Sequence, residues 1–135
     1  MSAALSLSKE FTQKLVDDDY RHAYVSDGVR TRIAFQIRAL REQAGRKWTQ
    51  AQLGERAGKP QSMISRLENP DYGRVSLRTL LEVSAAFDVP LLVEFVEWPD
   101  WLARMADVSP PALQKQDFNQ ASKPATTLNR RLVVG

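Results

Sequence analysis

The sequence predicts an all-α fold interrupted by one strand, and three features carry that expectation. Apolar residues recur at helical spacing through Val29, Ile33, Ile37 and Leu40, through Leu53 and Ala57, and through Met63, Ile64 and Leu67. Good N-cap residues (Ser8, Ser26 or Asp27, Thr49, Ser76) stand ahead of such runs. Only Val89–Trp98, rich in β-branched and aromatic residues, alternates with the period of a strand.

Length and composition narrow the possibilities. A chain of 135 residues is expected to form one domain with tails. Aromatic residues are 8% of the chain, so the core should be aliphatic. There is no Cys, which removes disulfides and thiolate metal sites and favours a reducing, cytoplasmic setting. No apolar run approaches the roughly 18 residues of a membrane span. No basic stretch followed by a long apolar one suggests a secretory leader. With one His, no Gly-rich phosphate loop and no ligand spacing, neither an enzyme nor a metal or other cofactor is expected.

The elements follow in order. Ser8 caps a first helix carrying Phe11 and Leu15, part of an N-terminal helical extension over residues 1–25. Asp17, Asp18 and Asp19 read as a solvated run or helix start, because consecutive helical carboxylates diverge too far to share a metal. His22 reads as a surface or packing residue. A second helix, capped by Ser26 or Asp27, runs to about Ala44 and ends at Gly45. Its apolar stripe is Val29, Ile33, Ile37 and Leu40, and Arg30, Arg32, Arg38 and Arg41 leave the rest basic. Arg46 and Lys47 are expected to be exposed in the next turn, and Trp48 to pack on the core.

Thr49 and Gln52 then form a T-x-x-Q capping box for a helix from Gln50 to about Ala57. Gly58 turns the chain. Lys59 and Pro60 open the next helix, with Pro60 at N1, where its missing N–H costs nothing. That helix buries Met63, Ile64 and Leu67 and presents Gln61, Ser62, Ser65 and Arg66, uninterrupted by a carboxylate.

The stretch from Thr49 to Asn69, TQAQLGERAGKPQSMISRLEN, resembles the phage-repressor and Cro-type (XRE) helix-turn-helix family. It opens on Thr49-Gln50, has Gly58, Ile64 and Leu67 at the family's positions, and closes on Leu67-Glu68-Asn69. Gly54 stands where Ala is usual; both are small, although Gly costs a helix about 1 kcal/mol. The resemblance implies a lambda-repressor-like helical domain over residues 26–88 that places its second motif helix in the DNA major groove.

It also implies roles. Gln50 and its helix N-terminus would meet a phosphate. Pro60, Gln61, Ser62, Ser65 and Arg66 would face the groove, with Gln61 suited to adenine and Arg66 to guanine or to phosphate. Arg74, with Asn69 and Tyr72, would reach the backbone from the loop 69–76. Arg41 would pair with Glu68 as a structural tie between helices. Charge agrees: residues 21–78 hold twelve Lys or Arg against five acids, while each flank is net negative.

Ser76 caps a closing helix to about Phe87, with Leu77, Leu80, Leu81 and Ser84 on one face and Val83 and Phe87 on another. Residues 89–108 are expected to supply the strand, with a fifth helix as its alternative, and then a short helix anchored by Trp98, Trp101, Leu102 and Met105. A lone strand leaves backbone groups unpaired, so pairing with a second copy, giving a homodimer, is the expectation. Residues 109–135, rich in Pro, Gln, Ser, Thr and Asn, read as a flexible tail. Within it, Arg130-Arg131 would assist DNA or partner contact, and LVVG would add to a sheet edge. Double-stranded DNA is therefore the expected partner, through either a sequence-specific repressor or an antitoxin that also neutralises a toxin protein; the extra segments leave room for the latter.

Overall fold

A computed structural model describes residues 7–121. The elements are α1 (Lys9–Val16), α2 (Asp18–Glu42), α3 (Gln50–Ala57), α4 (Gln61–Leu67), α5 (Leu77–Phe87), α6 (Trp98–Met105), α7 (Pro110–Leu113) and α8 (Phe118–Ala121). No helix among the described residues is long and apolar enough to cross a membrane.

The helix expected to start at Ser26 or Asp27 starts at Asp18 instead. Asp17 is its cap, accepting from the N–H groups of Asp19 and Tyr20. The two expected capping side chains are engaged elsewhere: Ser26 Oγ and Asp27 Oδ1 both accept from Arg30. Gly28 does not break the helix, because it sits against α6. A Cβ there would lie 2.9 Å from the Trp101 ring. Rings continue that contact: Tyr24 lies 6.0 Å from Trp101 and 5.1 Å from Phe11 of α1. Hence α1 and α6 both dock on the N-terminal half of α2, and α2 runs through the expected boundary at residue 25.

The C-terminal half of α2 supplies Ile37 and Leu40 to a core with Leu53, Ala57, Ile64, Leu67, Val83 and Phe87. Leu53, Ile64 and Leu67 are fully buried, each worth about 1.5–3 kcal/mol relative to exposure. The core is aliphatic apart from Phe87, on which Trp48 stacks at 5.8 Å with an interplanar angle of 2°. Of the two apolar faces of α5, that of Val83 and Phe87 closes the core, whereas Leu77 and Leu81 on the other are exposed.

Two further expectations are corrected. No strand occurs among the described residues, and residues 89–97 form neither strand nor helix. A strand needs a ladder, and no described segment lies alongside to complete one. The alternative fifth helix also fails to span the run; α6 begins only at Trp98, with Pro99 in its first turn.

Residues 109–121 are not a free tail. Leu113 is fully buried, and its carbonyl accepts from Gln36 Nε2 at 3.0 Å. Lys115 N–H donates to Gln43 Oε1, and Phe118 N–H donates to the Asp88 carbonyl. One apolar anchor and a few backbone bonds hold a segment whose composition reads as linker. The rest of the expected tail, including Arg130-Arg131 and LVVG, lies outside the described residues, as does the N-terminal run before Leu7.

Candidate nucleic-acid interface

The local geometry begins at Thr49. Its Oγ1 accepts from Gln52 N–H at 3.1 Å, and Gln52 Oε1 accepts from Thr49 N–H at 2.8 Å, completing the capping box. This leaves the first-turn N–H groups of Gln50 and Ala51 without partners among the described residues. At the other end Gly58 adopts φ 67°, the left-handed conformation that ends α3. Lys59 N–H then folds back onto the Gly54 carbonyl at 2.8 Å. The fold-back is so close that a Cβ on Gly54 would stand 2.5 Å from the Lys59 carbonyl oxygen. Glycine at position 54 is therefore required by this turn, and Ala is not equivalent to it.

Pro60 is the N-cap of α4 rather than its first residue, with φ −65° and ψ 153°. The helix buries Ile64 and Leu67 and exposes Gln61, Ser62, Ser65 and Arg66 on its outer side. Pro60, Asn69 and Arg74 are exposed as well, whereas Gln50 and Lys59 are half-buried.

A chain of polar contacts links this outer side to the interior. Arg41 Nε donates to Glu68 Oε2 at 2.6 Å, and Arg41 Nη2 donates to Glu68 Oε1 at 2.8 Å. The two side chains are only 11% and 5% exposed. Arg41 Nη1 also holds the Trp48 carbonyl at 2.9 Å. Hydrogen bonding to Glu68 raises the guanidinium pKa, against the opposing effect of burial. Glu68 Oε1 accepts in turn from Gln50 Nε2 at 3.2 Å, and Gln50 Oε1 accepts from Gln61 Nε2 at 3.1 Å. Sequence reading anticipates the Arg41–Glu68 pair and misses its continuation to Gln50 and Gln61. The signal for that is the proximity of two helix N-termini, which emerges only once the turn is folded.

The cations divide into engaged and free groups. Lys59 Nζ lies 2.7 Å from Glu82, which draws it toward α5. Its ammonium, chiefly through the hydrogen bond, holds the Glu82 carboxyl below the ordinary range. Arg38 pairs with Glu42, and Arg56 lies over the Trp48 ring at 4.2 Å. Arg46, expected in the open turn, is half-buried. It bonds the carbonyls of Leu40 and Lys115 and lies over Phe87 at 5.3 Å, and burial lowers its pKa. Within residues 37–93, Lys47, Arg66, Arg74 and Arg78 have no ion pair, side-chain hydrogen bond or ring contact among the described residues, although Arg78 is close enough to Glu82 to act on it electrostatically. Lys47 was not among the sequence-derived candidates; its positive φ of 52° marks the turn that presents it.

Asn69 has part of its capacity committed. Its Oδ1 accepts from Asp71 N–H at 3.0 Å, and its carbonyl from Tyr72 N–H, shaping the loop that carries Arg74. No group of three or more His, Cys, Asp or Glu among the described residues is arranged to hold a metal.

A family model described as helix-turn-helix matches residues 37–93. That span begins in the C-terminal half of α2 and contains α3, α4 and α5. No curated protein and no solved structure matches the chain.

Proposed function

We propose, on the premise that residues 37–93 are an XRE-type helix-turn-helix domain, that this DNA-binding protein is a sequence-specific transcriptional repressor. It acts as a cytoplasmic homodimer, with α4 of each copy in the major groove of one half-site. Gln61, Ser62 and Ser65 meet base edges, and Arg66 meets guanine or phosphate. Gln50, Asn69 and Arg74 meet the backbone and set the register. Lys59 joins them only to the extent that phosphate competes with Glu82. No catalytic step and no cofactor enters this reading.

The observation that carries it is the selective freedom of the cations. Most positive side chains of the domain are engaged by carboxylates, carbonyls or rings. Arg66, on the exposed side of α4, and Arg74, in the loop that follows it, are not, and neither are Lys47 and Arg78. An unpaired guanidinium beside a carboxylate-free helix face suits a polyanion that also presents hydrogen-bonding edges.

Selection of bound sites from random duplex DNA tests this. A recurrent motif with two related halves about one helical turn apart is the expected result. Binding should weaken steeply with salt as counterions are released. Recovery of unenriched sequence would reject the assignment of α4 as the reading helix.

A second reading, an antitoxin that represses its own operon, is favoured by one observation. Tyr20, Tyr24 and Trp98 are 37%, 36% and 42% exposed on the α1–α2–α6 side, near the acidic run 17–19. Such a surface suits a basic protein partner. Co-purification with a small basic nuclease encoded beside it would select this reading.

A further inference from the structure

A cavity of about 120 Å³ lies between α2 and the loop that follows α4. Val29 and Ile33 of α2, Leu67 at the end of α4 and Val75 of the loop give it apolar walls. Gly73 closes it against Arg30, where a Cβ on the glycine would stand 3.3 Å from Arg30 Cδ. Asn69 and Gly73 are exposed and Val29 is 38% exposed, so the cavity opens at the surface.

Two polar side chains, Arg30 and Asn69, complete the lining. Ser26 Oγ and Asp27 Oδ1 take the two terminal nitrogens of Arg30. Its Nε is buried without a hydrogen-bond partner among the described residues. Asn69 Oδ1 accepts from the Asp71 N–H, while its amide nitrogen donates to no group among the described residues. The unsatisfied side-chain groups of the lining are therefore both donors. Because Asp27 already balances the Arg30 charge, they call for an acceptor oxygen and not for an anion. Nε is covered by the chain itself, so a ligand oxygen meets it as the Arg30 stem turns within the cavity.

Size and polarity choose between occupants. Roughly four waters of about 30 Å³ each would fill the space, and each wants two to four polar partners. Four apolar walls and two donors do not supply them. An apolar cavity of about 150 Å³ takes benzene, so one of about 120 Å³ suits a slightly smaller molecule.

We propose that this cavity binds a small uncharged organic molecule of about five or six heavy atoms, with a branched apolar body and one carbonyl-type oxygen. The site stands apart from the repressor reading, whereas its consequence deepens that reading and rests on it. Asn69, Gly73 and Val75 bracket Arg74 along the chain, so an occupant pins the loop that carries this guanidinium. A loop ordered in advance loses less freedom when DNA binds, and the ligand acts as a co-repressor.

3-Methylbutan-2-one is the probe, and isobutyrate has the same shape with a charge. Amide spectra of the full-length chain are titrated with each. The ketone should shift Gly73 and Val75 saturably at roughly millimolar concentration, which so few atoms can supply. Isobutyrate should bind about tenfold more weakly, because burying an ion without a counter-charge is costly. Val29→Phe fills the cavity from its exposed rim and should abolish the shifts. Arg30→Met keeps the stem, removes the donor and should weaken the ketone about fivefold, the worth of one hydrogen bond. It keeps the test decisive where Val29→Phe disturbs the fold.

No saturable shift with the ketone overturns the proposal. So does isobutyrate binding as tightly as the ketone, or ketone binding undiminished by either substitution. Affinity for the selected DNA site is measured separately and should rise about fivefold in saturating ketone, with ketone affinity rising by the same factor on DNA. Ketone binding with unchanged DNA affinity overturns the co-repressor role. A chain that takes up the ketone as described but binds no DNA fails the repressor reading and leaves the site standing. DNA binding by a chain that does not take up the ketone does the reverse.

Discussion

Gln61 Nε2 donates to Gln50 Oε1 at 3.1 Å, across the turn that joins α3 to α4. The same Gln50 donates to Glu68 Oε1 at 3.2 Å. A glutamine read from sequence as a phosphate contact is therefore also the support of the side chain that the proposed function assigns to bases. It fixes one end of the Gln61 amide and leaves the remaining donor and acceptor capacity open to a ligand, which in the proposed function is DNA.

Replacing Gln50 by Ala should accordingly do more than remove a backbone contact. Affinity for the selected site should fall, and base preference at the position read by Gln61 should broaden. The effects of Gln50→Ala and Gln61→Ala should be non-additive by about 0.5–1.5 kcal/mol, the worth of one hydrogen bond. A double-mutant cycle on DNA affinity, with the selected site and a single-base variant, measures this.

Glu68 is 5% exposed and bonded twice by Arg41. Breaking a buried pair from one side leaves an uncompensated charge. Glu68→Ala should cost about 3–5 kcal/mol of stability. Glu68→Gln keeps the shape and part of the bonding, so it should cost less but still lower both stability and DNA affinity. Urea denaturation of the two variants provides the comparison. A Glu68→Gln protein of parental stability would contradict the structural role given to this pair.

Gly54→Ala tests the turn. Helix propensity alone would make Ala the better residue by about 1 kcal/mol. The Cβ, however, would stand 2.5 Å from the Lys59 carbonyl oxygen, which is backbone and cannot swing aside. Net destabilisation of about 1–3 kcal/mol is expected, as for other overpacked sites, and is read as a lower denaturation midpoint. A stabilised Gly54→Ala protein would mean that the turn opens at little cost.

The Lys59–Glu82 pair gives a pH signature. Lys59 holds the folded-state pKa of Glu82 below its ordinary 4.5. The folded chain therefore binds this proton less readily than the unfolded chain, and the pair stabilises the fold above that ordinary value. Its contribution is lost as pH falls through the lowered folded-state value. Because the Glu82 side chain is still 39% exposed, the effect should be small and weakened by salt. The melting temperature of Glu82→Gln should sit slightly below the parent at neutral pH and converge with it in strong acid.

The parts legible in the sequence are those fixed by neighbours along the chain. The capping box at Thr49, the turn at Gly58 and the cap at Ser76 involve residues three or four apart, and each adopts the expected geometry. Arg41–Glu68 spans 27 positions and was accessible only through the family resemblance. Competition between partners was not legible. Ser26 and Asp27 look like caps until Arg30 takes both, and Lys59 looks free until α5 brings Glu82 beside it. Nor was the docking of residues 110–121 legible, because Leu113 is a lone apolar anchor in a polar context and its other ties are to Gln36, Gln43 and Asp88. Gly28 gave no sign that it makes room for Trp101.

The unbroken course of α2 makes the N-terminal segment and the reading head one strut. Tyr24, in contact with α1 and α6, and Arg41, at the root of the Gln50–Gln61 support, lie on the same helix. They are separated by about 26 Å of continuous hydrogen-bonded rod at the usual rise per residue, with no loop between them to absorb a displacement. Cutting the chain after residue 25 would saw through this beam rather than detach an appendage. A load placed on the aromatic end has a stiff route to the side chains that would face the groove.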